Sequence, residues 1–264
     1  GVSDETAFEV GLTCGGQLRI HVQLVTAGSP IVEQLRKAEA GQAAGIATVI
    51  NESAAATRYA HRITAELDAR VQAGATSLGR IDCEGEMVET FFEVSTPPPR
   101  FLIFGAMDFS AALSVAATAM GYRVTVCDPR SLFTTPERFP GVEVVVSWPT
   151  HYLQATEVDA RTVICVLSHD DRFDSDLVQL ALERQVAYVG AMGSRRTSDR
   201  RFAELRERAV PEEALARLHS PIGLDLGAST PEETAISILA EVLAARRNSS
   251  AAPLSHTRGS IHRA

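Results

Sequence analysis

From residue 101 onward the apolar positions fall in short, nearly continuous runs, 101–104, 124–127, 142–146, 162–167 and 187–189, in which Thr125, Glu143 and Thr162 are the polar members, separated by stretches with helical spacing. Runs without alternation belong to strands covered on both faces, so they predict a parallel sheet with helices on either side. The helix after the first run places Phe109, Ala112, Leu113, Ala116, Ala117 and Met120 on one stripe, which predicts a single buried face. The last helix has a sharp start, with Thr230 as N-cap, Pro231 at the first helical position and Glu233 completing a capping box. Ala235, Ile238, Leu239, Val242 and Leu243 form its apolar face, and Arg246 and Arg247 suit its C-terminal end.

Upstream of residue 100 the pattern changes. Residues 17–24 alternate polar and apolar as a half-buried strand does, 86–94 read as a second strand, and 31–42 read as a helix. Between this part and the parallel sheet stand Pro97, Pro98 and Pro99, which have no N–H to give a ladder. The expected organisation is an α/β chain: a smaller α+β N-terminal domain over 1–96, a Rossmann-like doubly wound parallel sheet over 97–247, and a flexible tail over 248–264. No internal repeat is present.

Composition narrows the function classes. The 264 residues are 45% hydrophobic, enough for a substantial core. A net charge of −8 gives no general attraction to phosphate backbones or anionic lipid, so neither nucleic acid nor membrane is an expected partner. No run reaches the roughly 20 apolar residues of a spanning helix, and residues 1–6 lack the basic-then-apolar order of a signal peptide. Cys14, Cys83, Cys127 and Cys165 form no Cys-x-x-Cys pair, which fits reduced thiols and a cytoplasmic location.

The candidate chemistry lies at the ends of the predicted strands. Gly105, Ala106 and Met107 follow the first parallel strand, and Asp128 ends the second. In a dinucleotide-binding unit a glycine turn lets pyrophosphate rest on a helix N-terminus, and the downstream acid takes the ribose hydroxyls. Here Met107 and Ser110 stand where the second and third glycines belong. Asp128 with Arg130 either grips a ribose and a phosphate or flat ring, or caps the next loop.

After the fourth strand, His169 with Asp170 and Asp174 could hold a metal or work as acid and base; alternatively Asp174 is the N-cap of a helix over 175–184 and His169 bonds its own loop. After the fifth, Gly190, Gly193 and Ser194 lead into Arg195 and Arg196, two cations at a positive helix end. A bound anion would balance them, and solvated side chains are the plain alternative. Asp225, between Gly223 and Gly227, either points into the same cleft or fixes the turn. Cys14 is followed by Gly15 and Gly16, which give a thiolate exposed N–H groups and make it a candidate ligand or nucleophile.

Taken in order, Cys14-Gly15-Gly16, the stretch from Phe104 to Arg130, Ser168-His169-Asp170, Tyr188 to Arg196, Pro221 to Gly227 and Thr230 to Glu233 resemble the XdhC/CoxI family, accessory proteins of xanthine dehydrogenase and related molybdenum hydroxylases. The resemblance extends to about Arg247. It implies a Cys-Gly-Gly domain followed by a Rossmann-like domain, and a homodimer. It implies a chaperone that binds molybdenum cofactor, as molybdopterin or its dinucleotide form. Such a protein supports the cofactor's sulfuration with a cysteine desulfurase. It then hands the cofactor to an apo-hydroxylase of the xanthine dehydrogenase or CO dehydrogenase type.

The cofactor contacts expected are Cys14, Gly15, Gly16, Gly105, Ala106, Met107, Asp128, Arg130, His169, Asp170, Gly190, Gly193, Ser194, Arg195, Arg196 and Asp225, with Cys14 near the molybdenum. Family members carry a longer region before the Cys-Gly-Gly motif, so the N-terminal domain is expected to be incomplete. Where they commonly read Gly-Ala-Gly-His, this chain has Gly105-Ala106-Met107-Asp108.

Two further readings stay open. An NAD(P)-dependent oxidoreductase would use the same scaffold, with Asp128 favouring NAD. Met107 obstructs the approach of pyrophosphate, and Lys37 is the only lysine, so no Tyr-x-x-x-Lys pair exists. A metal-dependent hydrolase would be built on His169, Asp170 and Asp174.

Overall fold

The computed structural model describes residues 20–51 and 55–258. They fall in two compact units, one holding residues up to Asp68 with Thr76–Ser95, the other holding Ala69–Ala75 and Thr96 onward.

The first unit contains α1 (Pro30–Glu39), β1 (Ala44–Val49), a short α2 (Ala55–Arg58), most of α3 (Ala60–Ala73), β2 (Ser77–Cys83) and β3 (Glu86–Ser95). The strands form an antiparallel sheet in the order β1-β3-β2. Glu84 and Gly85 both take positive φ, 58° and 92°, which gives the two-residue hairpin turn whose twist matches its strands. Val88 and Phe92 alternate onto one face and pack with Ile63 and Cys83. The helix expected over 31–42 is α1, which ends earlier at Glu39 and is capped by Ser29, whose side chain accepts from the Ile31 N–H. The strand expected over 17–24 is not formed in its described part. Residues 20–26 join no ladder, Ile20 and Leu24 are 72% and 91% exposed, and residues 17–19 lie outside the described residues. Alternation makes a strand only where a neighbour accepts its backbone bonds, and none among the described residues does so.

The second unit is the doubly wound α/β domain expected from the short apolar runs. Its strands are β4 (Arg100–Phe104), β5 (Arg123–Asp128), β6 (Glu143–Val146), β7 (Val163–Val166), β8 (Tyr188–Ala191) and β9 (Leu218–His219), all parallel in the order β6-β5-β4-β7-β8-β9. Chain direction along the sheet reverses between β4 and β7, the switch point where ligands of such sheets bind. The helices are α4 (Asp108–Ala119), α5 (Pro149–Ala155), α6 (Asp174–Leu182), α7 (Arg195–Glu207), α8 (Glu212–Leu215) and α9 (Pro231–Arg247). Phe101 and Ile103 pack with Leu113, Ile238 and Val242 on one face of the sheet, while Leu102 and Phe104 pack with Leu177 and Leu205 on the other. This two-sided burial explains the lack of alternation in the strand sequences.

Two helix faces differ in detail from the expected stripes. In α4 the buried positions are Ser110, Leu113, Ser114 and Ala117, while Met120 is 40% exposed. Ser110 and Ser114 return their hydroxyls to the carbonyls of Gly105 and Ala111, so small polar residues can occupy the sheet side. In α9 the capping box is present, with Thr230 accepting from the Glu233 N–H at 3.2 Å and Glu233 accepting from the Thr230 N–H at 3.1 Å; Leu243 is half exposed. No helix among the described residues is long and apolar enough to cross a membrane.

Candidate functional site

The glycine turn after β4 is shaped by β7. Gly105 has φ of 110°, and a Cβ there would lie 2.7 Å from the Ser168 nitrogen, so both conformation and space require glycine. The Leu167 and Ser168 N–H groups donate to the Phe104 carbonyl at 2.8 and 3.1 Å, and the Gly105 N–H donates to Cys127 O at 2.9 Å. The Ala106 N–H, which a phosphate would use in a dinucleotide turn, donates instead to Asp128 Oδ2 at 2.8 Å. Met107 is half-buried at the cleft wall. Asp108, in the first turn of α4, pairs with Arg138 at 2.9 Å. The helix N-terminus thus already faces an acid of its own chain.

Asp128 is 1% exposed and its carboxylate is filled by four N–H groups. Oδ1 accepts from the Arg130 backbone N–H and Nε, both at 2.9 Å; Oδ2 accepts from Arg130 Nη2 at 2.7 Å as well as from Ala106. Burial pushes the carboxyl up, but these bonds outweigh it and hold the group below the usual carboxylate range. With both oxygens engaged, Asp128 holds Arg130 rather than presenting acceptors to a ribose.

The same fork recurs at the exit of β7. Asp170 Oδ1 accepts from the Arg172 N–H at 3.1 Å and Nε at 2.8 Å, and Oδ2 accepts from Nη2 at 2.5 Å. The Arg172 bond holds the Asp170 carboxyl below its ordinary range. Arg130 lies over the Phe133 ring at 5.1 Å and Arg172 over Trp148 at 5.5 Å. Asp128, Arg130 and Asp170 line a cleft of about 140 Å³ with Met107, Ser168 and Phe173. Arg130, braced by its own acid and ring at the wall of this cleft, suits a flat or anionic ligand, and Arg172 is braced in the same way just outside it.

Asp174 is not an N-cap. Phe173 occupies that position, and Asp174, in the first turn of α6, accepts from Ser168 Oγ at 2.5 Å and the Asp170 N–H at 3.2 Å. Burial raises its carboxyl above the ordinary value despite those bonds and the nearby Arg201 charge. His169 is exposed and lines both the cleft and an adjoining cavity of about 240 Å³. The metal reading of His169, Asp170 and Asp174 is not supported: no group of three His, Cys, Asp or Glu among the described residues could hold a metal ion. The physical reason is that Asp170 is turned onto Arg172 and Asp174 onto Ser168.

The remaining expected contacts are dispersed. Gly190 is buried in β8, where a Cβ would meet Ile222 and the Tyr188 ring, so it serves packing. Ser194 caps α7 by accepting from the Thr197 N–H at 3.1 Å. Arg195 and Arg196 are exposed and make no ion pair among the described residues. Asp225 is exposed and lines neither the cleft nor the adjoining cavity. Cys14, Gly15 and Gly16 lie outside the described residues.

Arg201 was not signalled by any motif. It is buried, and donates to Ser220 Oγ at 2.8 Å and Met192 O at 3.1 Å. The available clue is its spacing with Ser198 and Leu205 on the inner face of α7.

Residues 101–242 match the XdhC Rossmann domain. Among curated proteins, Escherichia coli YqeB is 33% identical over 175 residues, covering 66% of this chain and 32% of that protein. A Bacillus subtilis protein described as a probable xanthine dehydrogenase subunit is 26% identical, covering 60% of this chain and 46% of that protein. The Escherichia coli molybdenum cofactor insertion chaperone PaoD is 24% identical, covering 90% of this chain and 63% of that protein. The chain therefore spans less than two thirds of each of these relatives. A crystal structure of a Bacillus halodurans protein described as a xanthine dehydrogenase shares the fold, with a TM-score of 0.53, 19% identity, and coverage of 86% of this chain and 83% of that one.

Proposed function

Because the chain belongs to the XdhC family, we propose that it is a maturation factor that binds molybdenum cofactor as cargo and delivers it to an apo molybdenum hydroxylase. The observation that carries this reading is the switch-point cleft, where the nucleotide grip is replaced by Arg130 braced on Asp128, with the Asp170 that holds Arg172 on the opposite wall. The resemblance to a molybdenum cofactor insertion chaperone and to a xanthine dehydrogenase component supports it. In this reading Arg130 meets the anionic side of the cargo, His169 stands at the cleft rim, and Arg172 outside the cleft with Arg195 and Arg196 at the next strand exit adds positive charge. Cys14 is the residue assigned to the molybdenum end. Sulfuration with a cysteine desulfurase, a homodimeric state and a cytoplasmic location belong to the same proposal.

The work done is binding, protection and transfer, not turnover. The NAD alternative is weakened by the engagement of Asp128 with Arg130 and of the Ala106 N–H with Asp128. The test is reconstitution. Cofactor-loaded chain is mixed with apo-hydroxylase, and activity should return faster than with free cofactor at equal molybdenum; an equal rate would contradict the proposal.

A further inference from the structure

The cavity that shares His169 with the cleft contains two buried charges of opposite sign. Asp174 and Arg201 are 6% and 5% exposed and both line it; each acts on the other's charge, but the two do not meet in an ion pair, and neither makes one with any other described residue. The other charged groups lining it are already engaged: Arg200 donates to Asp171 at 2.9 Å, and Glu204 accepts from Ser175 Oγ at 2.6 Å. Arg201 donates only to the neutral Ser220 Oγ and Met192 O, and Asp174 accepts from Ser168 and Asp170. A carboxylate has about four lone-pair directions and a guanidinium five N–H groups, so both retain capacity beyond these bonds. Buried ions are stable only when their charge and hydrogen bonds are answered. A planar ligand that donates on one side and accepts on the other would answer both.

We propose that this cavity binds a 2-amino-4-oxopyrimidine ring, with the ring's amino and N–H groups donating to Asp174 and its carbonyl accepting from Arg201. A pterin and a guanine both present that edge, and the pterin is the organic part of molybdenum cofactor; the inference rests on the function proposed above for that source. At about 240 Å³ the cavity is smaller than the roughly 300 Å³ at which whole-ligand pockets begin, a size for a ring and not for a complete cofactor. Because His169 lines both spaces, a ligand anchored here by its ring extends past His169 toward Arg130 in the cleft.

The test is a fluorescence titration of the chain with neopterin, with competition by guanosine monophosphate and adenosine monophosphate. Saturable neopterin binding is expected, displaced by the guanine nucleotide and not by the adenine one. Asp174→Asn should weaken it at least tenfold. His169→Trp, a change at an exposed position that narrows the shared opening, should weaken it too while the thermal transition stays intact. Binding of the guanine nucleotide alone, with the same variant response, identifies guanine as the source of the ring. Equal affinity in wild type and both folded variants, displacement by the adenine nucleotide, or no binding of either ring overturns the inference. If the chain retains intact molybdenum cofactor and Asp174→Asn retains it equally, the ring site falls while the proposed function stands. If neopterin responds as expected but intact cofactor is not retained, the function falls and the ring site stands.

Discussion

The buried Asp128 carboxylate grips the Arg130 guanidinium at two points, 2.9 Å through Nε and 2.7 Å through Nη2, at the exit of β5. Asp170 and Arg172 repeat the arrangement at the exit of β7. Burial separates their energetics. Asp128→Ala leaves the Ala106 N–H without its acceptor and frees Arg130, so it should cost about 2–3 kcal/mol. Asp170→Ala breaks a partly exposed pair and should cost less than about 1 kcal/mol. Urea unfolding midpoints compare the two; equal losses would show that burial does not set their worth.

The same residue sets a pH dependence. Its carboxyl is held below the ordinary value of about 3.9. A depressed folded pKa adds stability that is present above the unfolded pKa and is lost as pH falls through the folded one. The stability gap between wild type and Asp128→Asn should therefore be full at neutral pH and shrink steadily below about pH 4. A gap that is flat down to acid unfolding would contradict the charge argument.

Gly105→Ala should be among the most damaging small substitutions. It forces a side chain into φ of 110° and to 2.7 Å from the Ser168 nitrogen. A cost of roughly 3 kcal/mol follows, a fall in Tm on the order of 10 °C. A melting temperature within a degree or two of wild type would mean that the β7 exit can move away from the turn.

Most of the parallel sheet was legible because a strand buried on both faces writes an unbroken apolar run, as in Phe101 to Phe104 and Val163 to Val166. The α9 start was legible because Thr230, Pro231 and Glu233 act locally. What sequence could not supply was long-range partnership. Residues 20–24 have strand-like alternation but no described neighbour to pair with. Asp174 has the composition of an N-cap, yet the turn made by Ser168 and Asp170 captures its carboxylate. Arg201 reads as one of several arginines until α7 packs it inward. At the site, Asp128 and Arg130 were legible as a pair of polar groups at a strand end, but not as partners of each other.

The thiols give an independent check on the core. Cys83, Cys127 and Cys165 are buried, and burial together with the Asp128 charge pushes the Cys127 thiol up to about 12. Burial raises the Cys165 thiol as well. At pH 8 a thiol reagent should label at most one of the four cysteines quickly in the native chain, and all four in urea. Rapid native labelling of Cys127 or Cys165 would contradict the packing of β5 or β7.

The central claim is that the chain carries molybdenum cofactor and not a nicotinamide dinucleotide. Gel filtration of the chain with cofactor released from a hydroxylase, and separately with NADH, measures this directly through molybdenum content, pterin fluorescence and nicotinamide absorbance of the protein peak. Molybdenum and pterin should co-elute with the chain in equal amounts while NADH elutes free. Retention of NADH with no molybdenum or pterin in the protein peak would contradict the account.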